Sequence, residues 1–461
     1  MIKFVLSLLL LFTFSLSAQD ISGTWFGQLN VGGQTLRIVW HIKKEKKIWK
    51  ATMDSPDQNA KGIQATRVSW KKPTIFLAIS HLGISYSGKL VGEKIEGTFK
   101  QGVFESKMTL TKNEQEILKP KRPQEPKPPF PYNEEEVSFT NKKASVTLSG
   151  TLTLPKGDGP FPVVVMVSGS GPQNRDEEIM GHKPFLVIAD YLTRKGVAVL
   201  RYDDRGFGKS TGVHFTATTY DFADDANAAL DFIKTHPKIN TSKIHLLGHS
   251  EGGLVAEIVA SKNKSLKSII LLAAPGERTD RLLVLQQQLL ARANGVSEKE
   301  IEKSMYFHED LFRLIRHSDT ISDAEKTVRP FLSDYSQKLS GKELAAYGGK
   351  NAFIDKTQST YLSLWMYSFL KFEPFNYLKN ISCNVLAMNG SLDLQVDAKQ
   401  NLSAIAAKLS NDVPRKEMYE MTGLNHLFQP AKTGNITEYS EIEQTFSEEA
   451  LQIISTWILS F

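Results

Sequence analysis

The run KIHLLGHSEGGLVAEIVA, Lys243 to Ala260, decides the fold. An apolar strand, Ile244 to Leu247, breaks at Gly248 and a helix begins near Gly252, which leaves Ser250 alone on the sharp turn between them. Gly248, His249, Ser250, Glu251 and Gly252 fit the pattern G-x-S-x-G, in which flanking glycines let strand and helix approach while the hydroxyl stands clear. Such a turn presents the serine as a nucleophile. The plainer alternative is a glycine-rich strand-to-helix turn with a solvated serine.

The surrounding chain supplies the context that this motif needs. From Glu134 onward apolar strands alternate with helices: FPVVVMVSG, a helix near Phe185 to Lys195, VAVLRY, a helix over Tyr220 to Thr235, then the strand before Ser250. Residues 268–273 and 384–388 continue the series, and a hairpin over residues 137–154 precedes it. This periodicity predicts a mostly parallel sheet covered by helices on both faces. Between Glu277 and Leu378 about 100 strand-poor, amphipathic residues read as helices inserted over one edge, a cap. The aromatic run Tyr361 to Phe375 falls there and fits pocket lining and core packing equally well.

Upstream the pattern differs. Residues 21–111 form roughly eight short segments of period two, such as Leu36, Ile38, Trp40 and Ile42, or Ile75, Leu77 and Ile79. They predict an antiparallel sandwich or small barrel within residues 19–115, whose start, Gly23-Thr24-Trp25, faintly resembles lipocalin-like barrels. Trp40, Trp49 and Trp70 read as core. Six prolines between Lys119 and Pro131 predict a stiff strap, placed at residues 116–133. Residues 134–461 form the second domain, and residues 1–18, with Lys3 ahead of the apolar run Phe4 to Phe14, read as an export signal.

Composition narrows the function. The chain has 461 residues, 41% of them hydrophobic, and a net charge of +6 from 56 basic and 50 acidic residues spread along it. Without an aromatic-interleaved basic stripe, nucleic acid is not an expected partner. No stretch after the signal reaches the roughly 18 apolar residues of a membrane span. A single cysteine, Cys383, precludes an internal disulfide. No metal-ligand cluster and no cofactor motif stands out, and none is expected.

A serine hydroxyl becomes a useful nucleophile when a base takes its proton and a carboxylate orients that base. Downstream of Ser250 lie three histidines: His308 and His317 in the cap, and His426 in the loop of MTGLNHLF after the short strand EMYE. His426 is the expected base. Asp393, in the loop after NVLAM and 33 residues before His426, is the expected acid, while Asp397 reads as a helix N-cap. Backbone N–H groups of Glu251 and Ser170, with Gly171 as the alternative to Ser170, are the expected oxyanion donors. Arg201 to Ser210, RYDDRGFGKS, reads as a structural loop whose side chains brace one another.

The ordered set GHSEGG, SGSGPQNRDE, YDDRGFGKS, NGSLDLQV and GLNH resembles the α/β-hydrolase superfamily, and within it bacterial carboxylesterases of the EstD type, often grouped with serine-aminopeptidase-like hydrolases. The likeness covers roughly residues 134–461. It implies Ser250 as nucleophile, Asp393 as acid and His426 as base, acting on a small, largely apolar ester. Ser168 stands where related oxyanion loops often carry histidine. Two rival readings remain: a serine aminopeptidase of the same fold, with an amine clamp drawn from Glu298, Glu300, Glu302, Glu309 and Asp310, or an inactive binding protein on a hydrolase scaffold.

Overall fold

The computed structural model describes residues 21–31, 34–58, 60–102, 104–113 and 122–461. The proposed export signal and residues 116–121 of the strap lie outside them. The chain divides into two compact units, Met1–Lys119 and Pro120–Phe461.

The first unit is one antiparallel sheet of nine strands: β1 (Gly23–Val31), β2 (Gln34–Glu45), β3 (Ile48–Ser55), β4 (Ala60–Gln64), β5 (Arg67–Lys71), β6 (Thr74–Ile79), β7 (Ile84–Val91), β8 (Lys94–Gln101) and β9 (Phe104–Thr111). Their order, β4-β3-β2-β1-β9-β8-β7-β6-β5, leaves β4 and β5 as the two free edges. β3 also packs against β5, so the sheet curls into an open barrel instead of splitting into a sandwich. The period-two residues turn inward as expected: Ile38, Trp40, Ile42, Ile75, Leu77, Ile79, Ile95 and Phe99 are all buried. Trp40 belongs to this core, and Trp49 and Trp70 pack on its margin. Tyr86 crosses the interior with its hydroxyl on the carbonyls of Ile95 (2.9 Å) and Met108 (3.0 Å). A Cβ at Gly97 would sit 2.6 Å from that hydroxyl, which explains the glycine within an otherwise apolar strand. Trp25, Trp40, Tyr86 and Phe99 fill the centre with side chains.

The second unit carries a mixed sheet of eight strands: β10 (Asn133–Asn141), β11 (Val146–Leu154), β12 (Phe161–Val167), β13 (Ala198–Tyr202), β14 (Ile239–His249), β15 (Ser268–Leu272), β16 (Asn384–Gly390) and β17 (Lys416–Met421). Their order is β10-β11-β13-β12-β14-β15-β16-β17; the β10–β11 hairpin joins antiparallel and the remaining six strands run parallel. Residues of β12 alternate between faces. Val163, Val165 and Val167 belong to one apolar core with α2 (Thr219–Lys234), α3 (Glu251–Lys262) and α11 (Ala398–Lys408), whereas Val164 and Met166 belong to another with α1 (Pro184–Arg194) and α12 (Glu448–Leu459). Seven helices intervene between β15 and β16: α4 (Thr279–Ala293), α5 (Glu298–Arg316), α6 (Ile321–Ser336), α7 (Gly341–Tyr347), α8 (Lys350–Tyr361), α9 (Leu364–Leu370) and α10 (Phe375–Leu378). These helices form one insertion, called the cap below, with its own core around Leu311, Phe312, Ile315, Val328 and Leu332.

Part of the proline-rich segment departs from a free strap. Arg122 donates to the carbonyls of Gly181 (3.0 Å), Met180 (3.1 Å), Ser440 (3.1 Å) and Ile442 (2.7 Å), and Gln124 bonds the backbone of Thr445 and Phe446. Its polar side chains moor the segment to the second unit, where the prolines themselves have few donors to offer.

The chain leaves β12 toward β13 on one side and returns to β14 on the other. That reversal opens a crevice at the carboxyl ends of β12 and β14, the usual position of a site in such sheets.

Candidate active site

Ser250 lies at that crevice. Its backbone has φ 53° and ψ −119°, a left-handed conformation disfavoured for residues with a Cβ, and it is pinned by Ser250 N–H to Leu272 O (2.8 Å) and Gly253 N–H to Ser250 O (2.9 Å). The flanking glycines are required by close approach. A Cβ on Gly248 would come within 2.0 Å of Gly252 O, and one on Gly252 within 2.2 Å of Val167 O. Helix α3 starts directly after Ser250, and its residues from Glu251 to Ala260 are all buried.

Asp393 lies in the loop after β16 and is 3% exposed. Its Oδ1 accepts from the N–H groups of Gln395 and Val396, both at 2.8 Å, and its Oδ2 accepts from His426 Nδ1 at 2.7 Å. His426 follows β17 in a loop shaped by Asn425, whose Oδ1 accepts from Leu427 N–H and Gln429 N–H, each at 3.0 Å. With Nδ1 donating to a carboxylate, Nε2 is the ring nitrogen that carries the lone pair. The imidazole of His249, next to Ser250 in the chain, lies 4.8 Å from that of His426 between centroids. The two other histidines considered as bases lie elsewhere. His308 bonds Ser304 O and the Tyr361 hydroxyl inside the cap, with its pKa pushed down to about 4 by burial, and His317 caps α5. Asp397 caps α11 through Gln400 N–H at 2.8 Å.

The loop after β12 runs along the elbow: a Cβ on Gly169 would lie 3.2 Å from Ser250 Cβ. Gly169 N–H is committed to Glu177 Oε1 at 2.7 Å. YDDRGFGKS braces this loop. Asp203 accepts from Arg175 N–H (2.9 Å) and pairs with its guanidinium (2.9 Å), Asp204 accepts from Ser168 Oγ and Gln173 N–H (both 2.8 Å), and Arg205 grips Asp225 at 2.7 Å. Burial pushes the Asp204 carboxyl up to about 8, the neighbouring Glu177 and Glu251 adding to the rise.

Glu251 has a side chain as consequential as its amide. It is fully buried, and its Oε1 accepts from Thr219 Oγ1 (2.6 Å) and from Trp365 Nε1 (2.9 Å) of the cap helix α9. Burial raises its pKa against those hydrogen bonds, which favours the neutral acid. Trp365 stacks on Phe369, and Phe369, Leu370 and Phe372 are buried, so the Tyr361 to Phe375 run is mainly packing that ties cap to core. The cap acids at Glu298, Glu300 and Asp310 serve Arg292, the Ser297 capping box and Arg313. Two residues at the site escaped the sequence reading, Glu177 and His249. The only sequence signal was an acid eight residues past Gly169 and an imidazole in a variable position of the elbow.

The sheet topology, the helical insertion and the serine elbow are those of the α/β-hydrolase fold. Residues 183–321 match the family model described as serine aminopeptidase, S33. Esterase EstD of Thermotoga maritima is 34% identical over 165 residues, 35% of this chain and 39% of that protein, and the protein YfhR of Escherichia coli O157:H7 is 26% identical over 147 residues, 31% and 48% respectively. The chain therefore spans two fifths to one half of the length of these relatives. Among solved structures, the Pyrococcus furiosus esterase Pf2001 aligns with a TM-score of 0.44 at 17% identity, over 72% of this chain and 92% of that one. The α/β hydrolase GrgF of Penicillium sp. sh18 gives 0.41 at 18%, over 64% and 91%.

Proposed function

We propose that the chain is a serine hydrolase that cleaves carboxylic esters through an acyl-enzyme on Ser250. The observation that carries this reading is the strained serine at φ 53° on the same carboxyl edge of the sheet as a His426–Asp393 pair of 2.7 Å, whose histidine loop is bonded to His249, the residue before that serine. His426 Nε2 takes the proton of Ser250 Oγ as the oxygen attacks the ester carbonyl. The N–H groups of Glu251 and Ser170 receive the oxyanion, and each donor of this kind contributes on the order of 10²–10³-fold in rate. The imidazolium then protonates the leaving alkoxide. Water, activated by the same nitrogen, releases the acid and restores the serine.

The name of the EstD relative favours an ester over an amide. The surface pairing of Glu298, Glu300 and Asp310 also weighs against the amine clamp that an aminopeptidase would draw from them. Export is proposed on the sequence of residues 1–18. The test is turnover of short-chain aryl esters and of aminoacyl anilides by the parent and by Ser250→Ala. Ester turnover that vanishes in Ser250→Ala supports the reading. Retained turnover refutes the nucleophile, and a preference for anilides refutes the substrate class.

A further inference from the structure

We propose that Glu177 and His249 form a second buried carboxylate–imidazole pair that holds the nucleophile, the oxyanion loop and the base loop in register. The inference rests on the esterase reading and adds two positioning residues to it.

Glu177 is 1% exposed and has a left-handed backbone, φ 51°, unusual for a residue with a long side chain. Its Oε1 accepts two hydrogen bonds, from Gly169 N–H at 2.7 Å and from His249 Nδ1 at 2.8 Å. On the far side of the ring, His249 Nε2 donates to the carbonyl oxygen of His426 at 3.0 Å. A carbonyl oxygen only accepts, so Nε2 must carry hydrogen, and the Nδ1 proton is shared with Glu177. Both ring nitrogens are therefore occupied. His249 cannot act as a base toward Ser250, and its ring cannot turn without losing two bonds.

The three segments joined in this way come from distant parts of the sheet. Gly169 follows β12 and Ser250 follows β14, but the loop bearing His426 follows β17, with β15 and β16 in between. Strand pairing alone does not hold that loop over the elbow. The His249–His426 bond ties its backbone to the residue before the nucleophile, and the Glu177–Gly169 bond fixes the oxyanion loop one residue ahead of Ser170. Burial lowers the basicity of His249, but the charge and hydrogen bond of Glu177 outweigh it, and the net direction is upward. The pair thus keeps its proton while His426 beside it cycles.

The test uses the full chain and aryl ester hydrolysis. In Glu177→Ala and in His249→Ala, kcat should fall by on the order of 10²-fold, the scale of a misplacement of about 1 Å, with KM within about threefold. Glutamine at 177 keeps an Oε1 that can accept from both Gly169 and His249 and loses only the negative charge, so Glu177→Gln should lose only about tenfold. Because the two residues act as a unit, the double alanine variant should be no worse than the poorer single one by more than about threefold. A merely structural role would lower the melting temperature and leave kcat of the folded fraction unchanged. Should Glu177→Ala fail to fold, His249→Ala and Glu177→Gln carry the same test. Folded variants with kcat within threefold of the parent overturn the proposal. Ser250→Ala, assayed alongside, separates the two levels: if it is inactive while the others are fully active, the pair alone fails, and if it is active the esterase reading fails.

Discussion

Replacing Asp393 by asparagine should stop the reaction without unfolding the protein, and the local hydrogen bonds say why. Oδ1 is claimed by two backbone donors, Gln395 N–H and Val396 N–H, each at 2.8 Å. In Asp393→Asn the amide oxygen must stay on those donors, so the NH₂ group replaces Oδ2 and faces His426 Nδ1. That nitrogen must then accept, which moves the ring hydrogen to Nε2, the atom that should receive the proton of Ser250. The imidazole keeps its place and holds the wrong tautomer. The expected loss in kcat is on the order of 10⁴-fold, or about 5 kcal/mol of transition-state stabilisation. Steady-state kinetics on short-chain aryl esters measure it, with the melting temperature as control and the ¹⁵N shifts of His426 reporting the tautomer. A folded Asp393→Asn enzyme within tenfold of the parent would refute this reasoning.

Three further outcomes follow from buried polar groups. Trp365→Phe removes the only cap donor to Glu251, and calorimetry should show a loss of about 1–2 kcal/mol in the stability of the second unit, the range for one buried hydrogen bond. Glu257 is fully buried on α3, with both carboxyl oxygens lacking partners among the described residues and its pKa driven well above normal by burial. Glu257→Met should therefore stabilise the fold by about 1–3 kcal/mol in denaturant titration. Asp204 has a folded pKa of about 8, above its unfolded value, so its contribution is full below about pH 4 and is lost as pH rises through 8. Asp204→Asn keeps an acceptor for Gln173 N–H and a donor for Ser168, and its melting temperature should fall less than the parent's between pH 6 and 9.

Most of the hydrolase frame was legible because it is written in local patterns. Buried strands end directly before Ser168 and Ser250 and three residues before Asp393, so chain order alone places these residues at one end of a parallel sheet. Asp397 declared itself as an N-cap by the helical run behind it. The period-two segments of the first unit were equally plain, but their count was not, since β4 and β5 are only five residues long, with no fully buried position to mark them. What stayed hidden depends on partners remote in sequence. His249 occupies a freely varying position of the elbow motif and gains its meaning from a carbonyl 177 residues away. Glu177 is one of several acids in its loop, and only the folded backbone brings it against Gly169. The mooring of Arg122 is of the same kind: a proline-rich stretch signals extension, whereas four backbone carbonyls from two separate loops decide where it lies.

The nucleophile itself can be interrogated by exposing the purified chain to a fluorophosphonate and mapping the adduct by mass spectrometry of its peptides. A serine activated by His426 and Asp393 should be phosphonylated at Ser250 alone, and labelling should disappear in His426→Ala. A protein that stays unlabelled while folded, or one that carries the adduct on another residue, would contradict the assignment of Ser250.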